Sequence, residues 1–359
     1  MRIDQLVPAF HRGDAIGDEA VELQDFFRRT GAESEIYCLT RDRGLEGESR
    51  LFADFPSPAA EDVTILHFAL PSPLTKGLIG LPSRKAVVYH NITPPEFFEG
   101  TSPEMVRIAR LGREELASLQ PHVGLGLADS EYNRLELEAL GFRNTHVFPL
   151  FVDFGRYERP ANAFVEGLFR DGRTNILFVG RVAPNKKIEN LVKAAFYYKK
   201  YISPLVRLVV VGKTTTFPSY FEAVSRMADE FFLKPEEVQF LGHVPDDELY
   251  ALYRAADVFL SLSEHEGYCL PLVEAMIFDL PVVALAAAAV PYTLGEAGIL
   301  VKDARPEGVA ELIDIIVRDA GLKLKLVDAG RRELARIKAF PRQAFLEARI
   351  AELREGRGR

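Results

Sequence analysis

Two carboxylates, Glu266 and Glu274, lie around a polar turn that contains glycine. The apolar run 258–262 before them predicts a buried strand, and Pro271 begins an apolar helix after the turn. Proline suits the first helical turn because its missing N–H would have no intrahelical partner there. Free N–H groups in that turn, with the positive end of the helix dipole, bind anions. The stretch therefore predicts an anion site where open α/β sheets bind ligands. The alternative is a plain strand–turn–helix with two solvated glutamates.

A basic turn follows a second predicted strand at residues 175–180. Arg181 and Lys186 lie in this turn, and such cations can stabilise negative charge on a bound anion. Lys187 stands beside Lys186, and the two residues are equally basic. Ordinary solvated surface cations remain the competing interpretation of this turn.

Bulk composition limits the class of protein. The 359 residues suit two domains, and a net charge of −8 argues against a nucleic-acid partner. Cys38 and Cys269 are the two cysteines, so neither a disulfide framework nor a cysteine zinc site is indicated. The chain has no signal-like start and no run of about 18 apolar residues. We expect a cytoplasmic protein, which leaves room for peripheral contact with the inner face of a membrane.

Strand-like and helix-like segments alternate along both halves, which predicts an α/β architecture with parallel sheets. The first strand is expected over 3–10, and Asp18 is expected to cap a helix that runs to Thr30. Residues 151–174, punctuated by Gly, Pro and Arg, predict a hinge between two Rossmann-like halves and hence a cleft. An amphipathic helix is expected over 343–354, and residues 356–359 are expected to fray.

Motifs at these strand ends resemble the retaining glycosyltransferases of family 4, and the resemblance spans most of the chain. In the second half it rests on Gly180-Arg181-Val182-Ala183-Pro184-Asn185-Lys186, Phe240-Leu241-Gly242, Ala256-Asp257-Val258, the run from Glu266 through Glu274 to Met276, and Pro281-Val282-Val283. In the first half, Gly13-Asp14-Ala15-Ile16, Ser34-Glu35-Ile36-Tyr37, Tyr89-His90-Asn91-Ile92-Thr93-Pro94 and Asp129-Ser130-Glu131-Tyr132-Asn133 resemble a subgroup of bacterial polysaccharide and lipopolysaccharide glycosyl- and mannosyltransferases.

The resemblance implies a GT-B fold, in which two Rossmann-like domains with parallel sheets face each other across an interdomain cleft. Residues 1–152 would form the acceptor domain, residues 153–340 the donor domain, and residues 341–359 a helix that crosses back to the first domain. The implied reaction is retaining, metal-independent transfer of a hexose from a nucleotide-diphosphate sugar of the GDP-mannose or UDP-glucose type. The acceptor would be a hydroxyl of a glycan, a lipid-linked sugar or a small molecule, and no cofactor is expected.

The resemblance also assigns roles to residues of the second half. Arg181 and Lys186 would offset the charge of the leaving diphosphate, Glu274 would accept hydrogen bonds from the ribose, and Glu266 would lie against the donor sugar. The further donor-binding positions are Val244, Gly267, Tyr268, Cys269, Leu270 and Leu272. The backbone N–H groups of 267–269 would hold sugar hydroxyls. Glu266 is expected to orient and stabilise the sugar rather than attack it.

Three residues of the first half complete the predicted site. His90 ends a strand and matches a histidine that faces the donor sugar, while Gly13 and Gly17 lie in a loop where glycine permits close approach of a ligand. A structural histidine and a plain loop are the alternatives. The other histidines show no metal-ligand spacing, and Asp-x-Asp is absent from the sequence, so no metal site is predicted.

The chain departs from the family pattern at three positions. Tyr292 stands where the subgroup has a carboxylate, and Asp279 and Ala288 stand where glycines are common. These departures keep a non-catalytic sugar-nucleotide-binding subunit among the alternatives. A glycoside hydrolase would also use paired carboxylates, but the cationic turn argues against it. An NAD-dependent dehydrogenase is weakened because no Gly-x-Gly-x-x-Gly follows a predicted strand.

Overall fold

The computed structural model describes residues 1–356, so residues 357–359 of the segment expected to fray lie outside the described part. The chain forms two compact units. The first comprises Met1–Glu96, Glu104–Val152 and the chain from Pro341 onward, and the second comprises Phe97–Pro103 and Asp153–Phe340. Within residues 1–356, none of the helices has the length and apolar character that a membrane crossing requires.

The first unit is built on a seven-stranded parallel sheet with the strand order β3-β2-β1-β4-β5-β6-β7. Its strands are β1 (Ile3–Phe10), β2 (Ile36–Arg41), β3 (Arg50–Leu51), β4 (Val63–Phe68), β5 (Arg84–Tyr89), β6 (Leu125–Ala128) and β7 (Thr145–Val147), and the helices up to Val152 are α1 (Ala15–Arg29), α2 (Pro73–Gly80), α3 (Pro103–Leu119) and α4 (Glu131–Ala139). Every residue of β4 is buried, as expected for a central parallel strand covered on both faces.

The start of α1 differs from the prediction. The helix begins at Ala15 with Asp14 as its N-cap residue, so Asp18 lies inside the first turn. The Asp18 carboxylate instead accepts a hydrogen bond from the Gly13 N–H at 3.0 Å. The helix ends at Arg29, one residue before the predicted end.

The second unit is built on a six-stranded parallel sheet with the order β10-β9-β8-β11-β12-β13. Its strands are β8 (Thr174–Val179), β9 (Val206–Val211), β10 (Val238–Gly242), β11 (Val258–Ser261), β12 (Val282–Leu285) and β13 (Gly298–Val301), and its helices are α5 (Ala163–Phe169), α6 (Ile188–Tyr201), α7 (Pro218–Glu230), α8 (Asp246–Ala255), α9 (Leu270–Ile277), α10 (Val290–Leu294), α11 (Pro306–Arg318) and α12 (Ala320–Lys338). The apolar face of α6 packs on the sheet, with Ile188, Leu191, Val192 and Ala195 fully buried.

The predicted hinge, 151–174, contains more regular structure than its composition indicated. A short 3-10 helix spans Phe154–Glu158, and α5 follows it. Tyr157 in the 3-10 helix is buried and donates a hydrogen bond to Glu274. This segment is therefore tied to the second unit from Asp153 onward, and its role as a hinge stays a prediction.

The last helix, α13 (Arg342–Glu355), belongs to the first unit. Leu346, Ile350 and Leu353 form its buried face. Arg84 donates a hydrogen bond to the Leu353 carbonyl at 2.9 Å, and Gly124 leaves room for the Leu353 side chain, because a Cβ there would lie 2.7 Å from Leu353 Cδ1. The helix is thus an integral part of the first unit.

Candidate functional site

The turn between β11 and α9 is held from two sides. The Glu264 N–H donates to the Asn185 carbonyl at 2.9 Å, and the Asn185 side chain donates to the His265 carbonyl at 3.0 Å. On the other side, Thr293 of α10 donates to the Tyr268 carbonyl at 2.5 Å. The turn is therefore braced by the basic turn after β8 and by α10, which is how an irregular segment keeps one shape.

The N-terminus of α9 forms as the sequence predicts, one residue early. The helix begins at Leu270, with Pro271 in its first turn. Cys269, the N-cap residue, has a left-handed backbone with φ of 70° and supplies no side-chain cap. Burial raises the pKa of the Cys269 thiol well above its usual range, so this thiol stays protonated at neutral pH. The amide groups of this first turn therefore have no thiolate competing for them.

Lys186 and Glu266 form a close ion pair. The Lys186 ammonium lies 2.5 Å from each oxygen of the Glu266 carboxylate, and both side chains are largely buried. Lys187 points elsewhere and pairs with exposed Glu264 at 3.3 Å. Residue type alone does not distinguish the two lysines. Their contacts do, and Lys186 is the partner of Glu266. Arg181 lies exposed in the same basic turn.

Glu274 is buried, and both of its carboxylate oxygens accept tyrosine hydroxyls. Tyr253 donates to Oε2 at 2.7 Å and Tyr157 donates to Oε1 at 2.9 Å. Burial raises the pKa of Glu274 above its usual value, and the two hydroxyls oppose that rise. Sequence reasoning missed both tyrosines, because nothing in their spacing relates them to Glu274.

At the carboxyl ends of β8 and β9 the two backbones lie so close together that position 212 has to be glycine. Gly212 has φ of 138°, and a Cβ there would lie 2.2 Å from the Gly180 carbonyl oxygen. Its N–H donates to the Gly242 carbonyl at 2.7 Å. The sequence does not by itself assign a role to Gly212, although an apolar run that ends at a glycine indicates the end of a buried strand. Val244 lies half-buried just beyond Gly242.

The glycines predicted in the first unit have local structural reasons. Gly13 adopts φ of 77° in the loop before α1. Gly17 lies within α1, where a Cβ would come 1.8 Å from the His11 carbonyl oxygen. The packing of α1 on its own loop thus excludes any side chain at Gly17, independently of a ligand. A role of either glycine in donor binding stays a prediction.

His90 follows β5 and has a buried imidazole, 3% exposed. Its Nδ1 lies 3.1 Å from Asp129 Oδ2, and its Nε2 lies 3.0 Å from His67 Nδ1. The carboxylate of Glu19 lies 3.9 Å from His90 Nε2. Glu19, His67 and His90 each place a potential ligand atom within 4.8 Å of the others. The sequence did not predict this cluster, because the three residues are widely separated along the chain.

The structure thus brings the predicted residues together in two groups. Lys186, Glu266 and Glu274 lie beyond the carboxyl-terminal ends of the strands of the second sheet. The remaining donor-binding positions lie in the same segments, namely Arg181, Val244, Gly267, Tyr268, Cys269, Leu270 and Leu272. His90, Gly13 and Gly17 belong to the first unit.

Two of the positions that depart from the family pattern have a backbone conformation that favours glycine. Asp279 has φ of 53° and Ala288 has φ of 48°, both in the left-handed region. The Asp279 carboxylate is held by Arg331 at 2.7 Å. Tyr292 lies on α10 with 45% of its surface exposed. The loops therefore retain a glycine-type geometry with other residues in place.

Comparison with known proteins finds similarity to one family over part of the chain. Residues 161–333 match the family described as glycosyl transferases group 1. O-antigen chain mannosyltransferase B of Escherichia coli is 29% identical over 159 residues, which is 44% of this chain and 38% of that protein. GDP-mannose-dependent alpha-mannosyltransferase of Mycobacterium tuberculosis is 30% identical over 231 residues, 62% of this chain and 55% of that protein. The match thus spans only part of each relative.

Solved structures resemble the chain over nearly its whole length. Anabaena HepE in complex with UDP and glucose has a TM-score of 0.73 at 18% identity, and the match covers 98% of both chains. Sucrose-phosphate synthase from Thermosynechococcus elongatus has a TM-score of 0.74 at 16% identity, again over 98% of both chains. The chain has the GT-B fold, and its residues 161–333 match the model of the glycosyl transferases group 1 family. The resemblance to GT-B glycosyltransferases of the family-4 type is confirmed.

Proposed function

We propose that this protein transfers a hexose from a nucleotide-diphosphate sugar to an acceptor hydroxyl, with retention at the anomeric carbon and without a metal ion. The acceptor is a glycan, a lipid-linked sugar or a small molecule, and the transfer takes place in the cytoplasm or at the inner face of a membrane. The family match supports sugar transfer in general. Relatives named as mannosyltransferases and a neighbour holding UDP and glucose support a donor of the GDP-mannose or UDP-glucose type.

The observation that carries the proposal is the Lys186–Glu266 pair beside the first turn of α9. A leaving diphosphate gains negative charge, which a preorganised cation and a helix N-terminus stabilise without reorganisation. Lys186 is held in place by Glu266, and Arg181 in the same turn supplies a second cation. These fixed charges and dipoles supply the stabilisation that a divalent cation supplies in other donor sites.

Glu274 is the proposed partner of the ribose. Each carboxylate oxygen has two lone pairs, so an oxygen that already accepts a tyrosine hydroxyl can accept a ribose hydroxyl as well. Tyr157 and Tyr253 orient the carboxylate for that role. The backbone N–H groups of 267–269 would hold the sugar, and Leu270 and Leu272 would lie near the phosphates.

Retention is the outcome that the family resemblance implies, and covalent attack by Glu266 is not the route that we propose for it. The two carboxylate oxygens of Glu266 are engaged by the Lys186 ammonium, which lowers the availability of a lone pair for attack on the anomeric carbon. We therefore assign Glu266 to orienting and stabilising the sugar. The leaving diphosphate would assist in removing the acceptor proton on the same face of the sugar.

The test is a donor panel scored by product structure. GDP-mannose and UDP-glucose are incubated with the protein and a set of sugar acceptors, and the anomeric configuration of the product is read by proton NMR. We expect retention, undiminished activity in EDTA, and loss of transfer in Glu266→Ala while nucleoside diphosphate binding persists. An inverted product, or activity abolished by EDTA and restored by manganese, contradicts the mechanism. Binding without transfer or donor hydrolysis would favour the non-catalytic subunit.

A further inference from the structure

Four neighbouring strands of the first sheet contribute to one line of hydrogen bonds. Gln5 lies on β1, His67 on β4, His90 directly after β5 and Asp129 directly after β6, and these strands are adjacent in the sheet order. The contacts are 2.9 Å from Gln5 Oε1 to His67 Nε2, 3.0 Å from His67 Nδ1 to His90 Nε2, and 3.1 Å from His90 Nδ1 to Asp129 Oδ2. All four side chains are buried.

The partners at the two ends determine where the hydrogens lie. The Gln5 amide nitrogen donates to the Ala20 carbonyl at 2.8 Å, so the Gln5 oxygen faces His67 and His67 Nε2 must donate. At the other end the Asp129 carboxylate accepts, so His90 Nδ1 must donate. The central contact between the two rings needs one hydrogen more. The line therefore holds three ring hydrogens, whereas two neutral imidazoles supply only two.

The surrounding charges place the extra proton on His90. Glu19 on α1 and Asp14 before it add negative charge near this ring, besides Asp129. Burial alone would lower the pKa of His90, but Asp129 and Glu19 raise it above its usual value. Burial and the His90 charge hold the pKa of His67 well below its usual range.

Charge balance makes this arrangement tolerable inside the unit. Arg342 of α13 lies 3.2 Å from Glu19 Oε1, so the negative charges of Glu19 and Asp129 face the positive charges of His90 and Arg342. Within residues 1–356, the buried Glu19 Oε2 has no hydrogen-bond partner, and the nearby imidazolium is the charge that compensates it. Burial raises the pKa of Glu19 to about 7, and the nearby positive charges of His90 and Arg342 oppose that rise.

We propose that Gln5, His67, His90 and Asp129 form one proton-holding line in which His90 is a fixed imidazolium, and that Asp129 and His67 are its positioning residues. In this state neither ring nitrogen of His90 has a lone pair. His90 then serves sugar transfer as an oriented positive charge, and it is neither a general base nor a nucleophile. Only this last step rests on the proposed function.

The first test needs no activity. Nitrogen-15 spectra of the histidine rings are recorded on the full chain across pH 5 to about 9, with His90→Gln used to assign the His90 signals. We expect both His90 nitrogens to stay protonated above the ordinary histidine pKa of about 6.5 and His67 to be the neutral Nε2–H tautomer. A neutral His90 at pH 7, or a His67 that carries its hydrogen on Nδ1, overturns the proposal.

A variant pair separates positioning from mere packing. Asp129→Asn should lower the proton affinity of His90 at least about tenfold, and Asp129→Glu should restore part of it. Asp42→Asn is the matched control, because Asp42 pairs with exposed His11 at 2.8 Å and should leave the His90 signals unchanged. Equal responses of His90 to Asp129→Asn and Asp42→Asn would refute the assignment.

Kinetics and metal content complete the test. With the donor identified, the alkaline limb of kcat should move to lower pH by about one pH unit in Asp129→Asn, with the donor KM unchanged. A flat kcat profile alongside the expected spectra would refute the catalytic role alone. Zinc is titrated into the same sample, because Glu19, His67 and His90 lie close enough to ligate an ion. One tightly bound zinc per chain that displaces the shared hydrogen overturns the proposal, and unchanged spectra support it.

Discussion

At the scale of single residues, two neighbouring lysines make different contacts. Lys186 contacts both oxygens of Glu266 inside the turn, whereas Lys187 pairs with exposed Glu264. A cation that contacts a diphosphate contributes about 1.5 to 3 kcal/mol through charge-assisted hydrogen bonds. Exposed pairs contribute little.

We therefore expect Lys186→Ala to weaken GDP or UDP binding by roughly 10- to 100-fold, and Lys187→Ala to change it less than about threefold. Isothermal titration calorimetry on the purified variants measures both. Equal affinities of the two variants would contradict the assignment of Lys186 to the diphosphate.

Glu274 gives a prediction about pH. Its pKa is raised in the folded state by burial, so between the unfolded value of 4.5 and the folded value the native protein holds a proton that the unfolded chain has lost. The unfolding free energy should therefore fall as the pH rises through this window. Glu274→Gln cannot ionise and should show a shallower decline.

Urea unfolding between pH 4.5 and neutral pH provides the slopes for Glu274→Gln. Glu264→Gln is the control, since that glutamate lies in the same turn but is exposed, and its slope should match the wild type. A Glu274→Gln slope identical to that of the wild type would show that the burial of this carboxyl has no effect on proton binding.

At the scale of elements, the loop between β12 and α10 stores backbone strain. Ala288 adopts φ of 48°, which costs an L-residue roughly 1 to 2 kcal/mol and costs glycine little. Glycine also makes the unfolded chain more flexible, which offsets part of the gain. Ala288→Gly should thus raise the unfolding free energy by up to about 1 kcal/mol.

The neighbouring Ala287 is not among the residues with a positive φ, so Ala287→Gly should lower the unfolding free energy by about 0.5 to 1 kcal/mol. Thermal and urea unfolding of the two variants distinguish strain from general loop flexibility. Destabilisation of both variants to the same extent would argue that Ala288 is not strained.

At the scale of the whole molecule, the chain passes between the two units at several points. Segment Phe97–Pro103 belongs to the second unit, where Phe98 stacks on Phe217 with ring centroids 5.4 Å apart. The last helix, α13, belongs to the first unit and buries Leu346, Ile350 and Leu353 there. Each unit thus depends on chain that is distant in sequence.

Deletion of residues 341–359 should destabilise the first unit selectively. Each buried Leu or Ile contributes roughly 1.5 to 3 kcal/mol, and Arg342, which neutralises Glu19, is lost as well. We expect faster hydrogen exchange in β5, β6 and β7 and little change in β8 to β13. Deletion of residues 357–359 alone is the control. Uniform acceleration in both units would contradict an independent role of α13 in the first.

The sequence by itself determined the elements and the edge of the second sheet at which chemistry is expected. Apolar runs that end in glycine, and Pro271 at the start of α9, act within a few residues, so strand and helix positions could be predicted closely. Segment 151–174 was harder, because the short 3-10 helix Phe154–Glu158 is stabilised by burial of Tyr157 rather than by its own composition.

Only the tertiary structure decided which side chains meet. The strand order places β1, β4, β5 and β6 side by side, and this brings His67, His90 and Asp129 into contact although the sequence separates them widely. The same applies to the tyrosines that hold Glu274. Hydrogen bonds of this kind depend on chain crossings and burial, which act between distant residues and leave no local periodicity to detect.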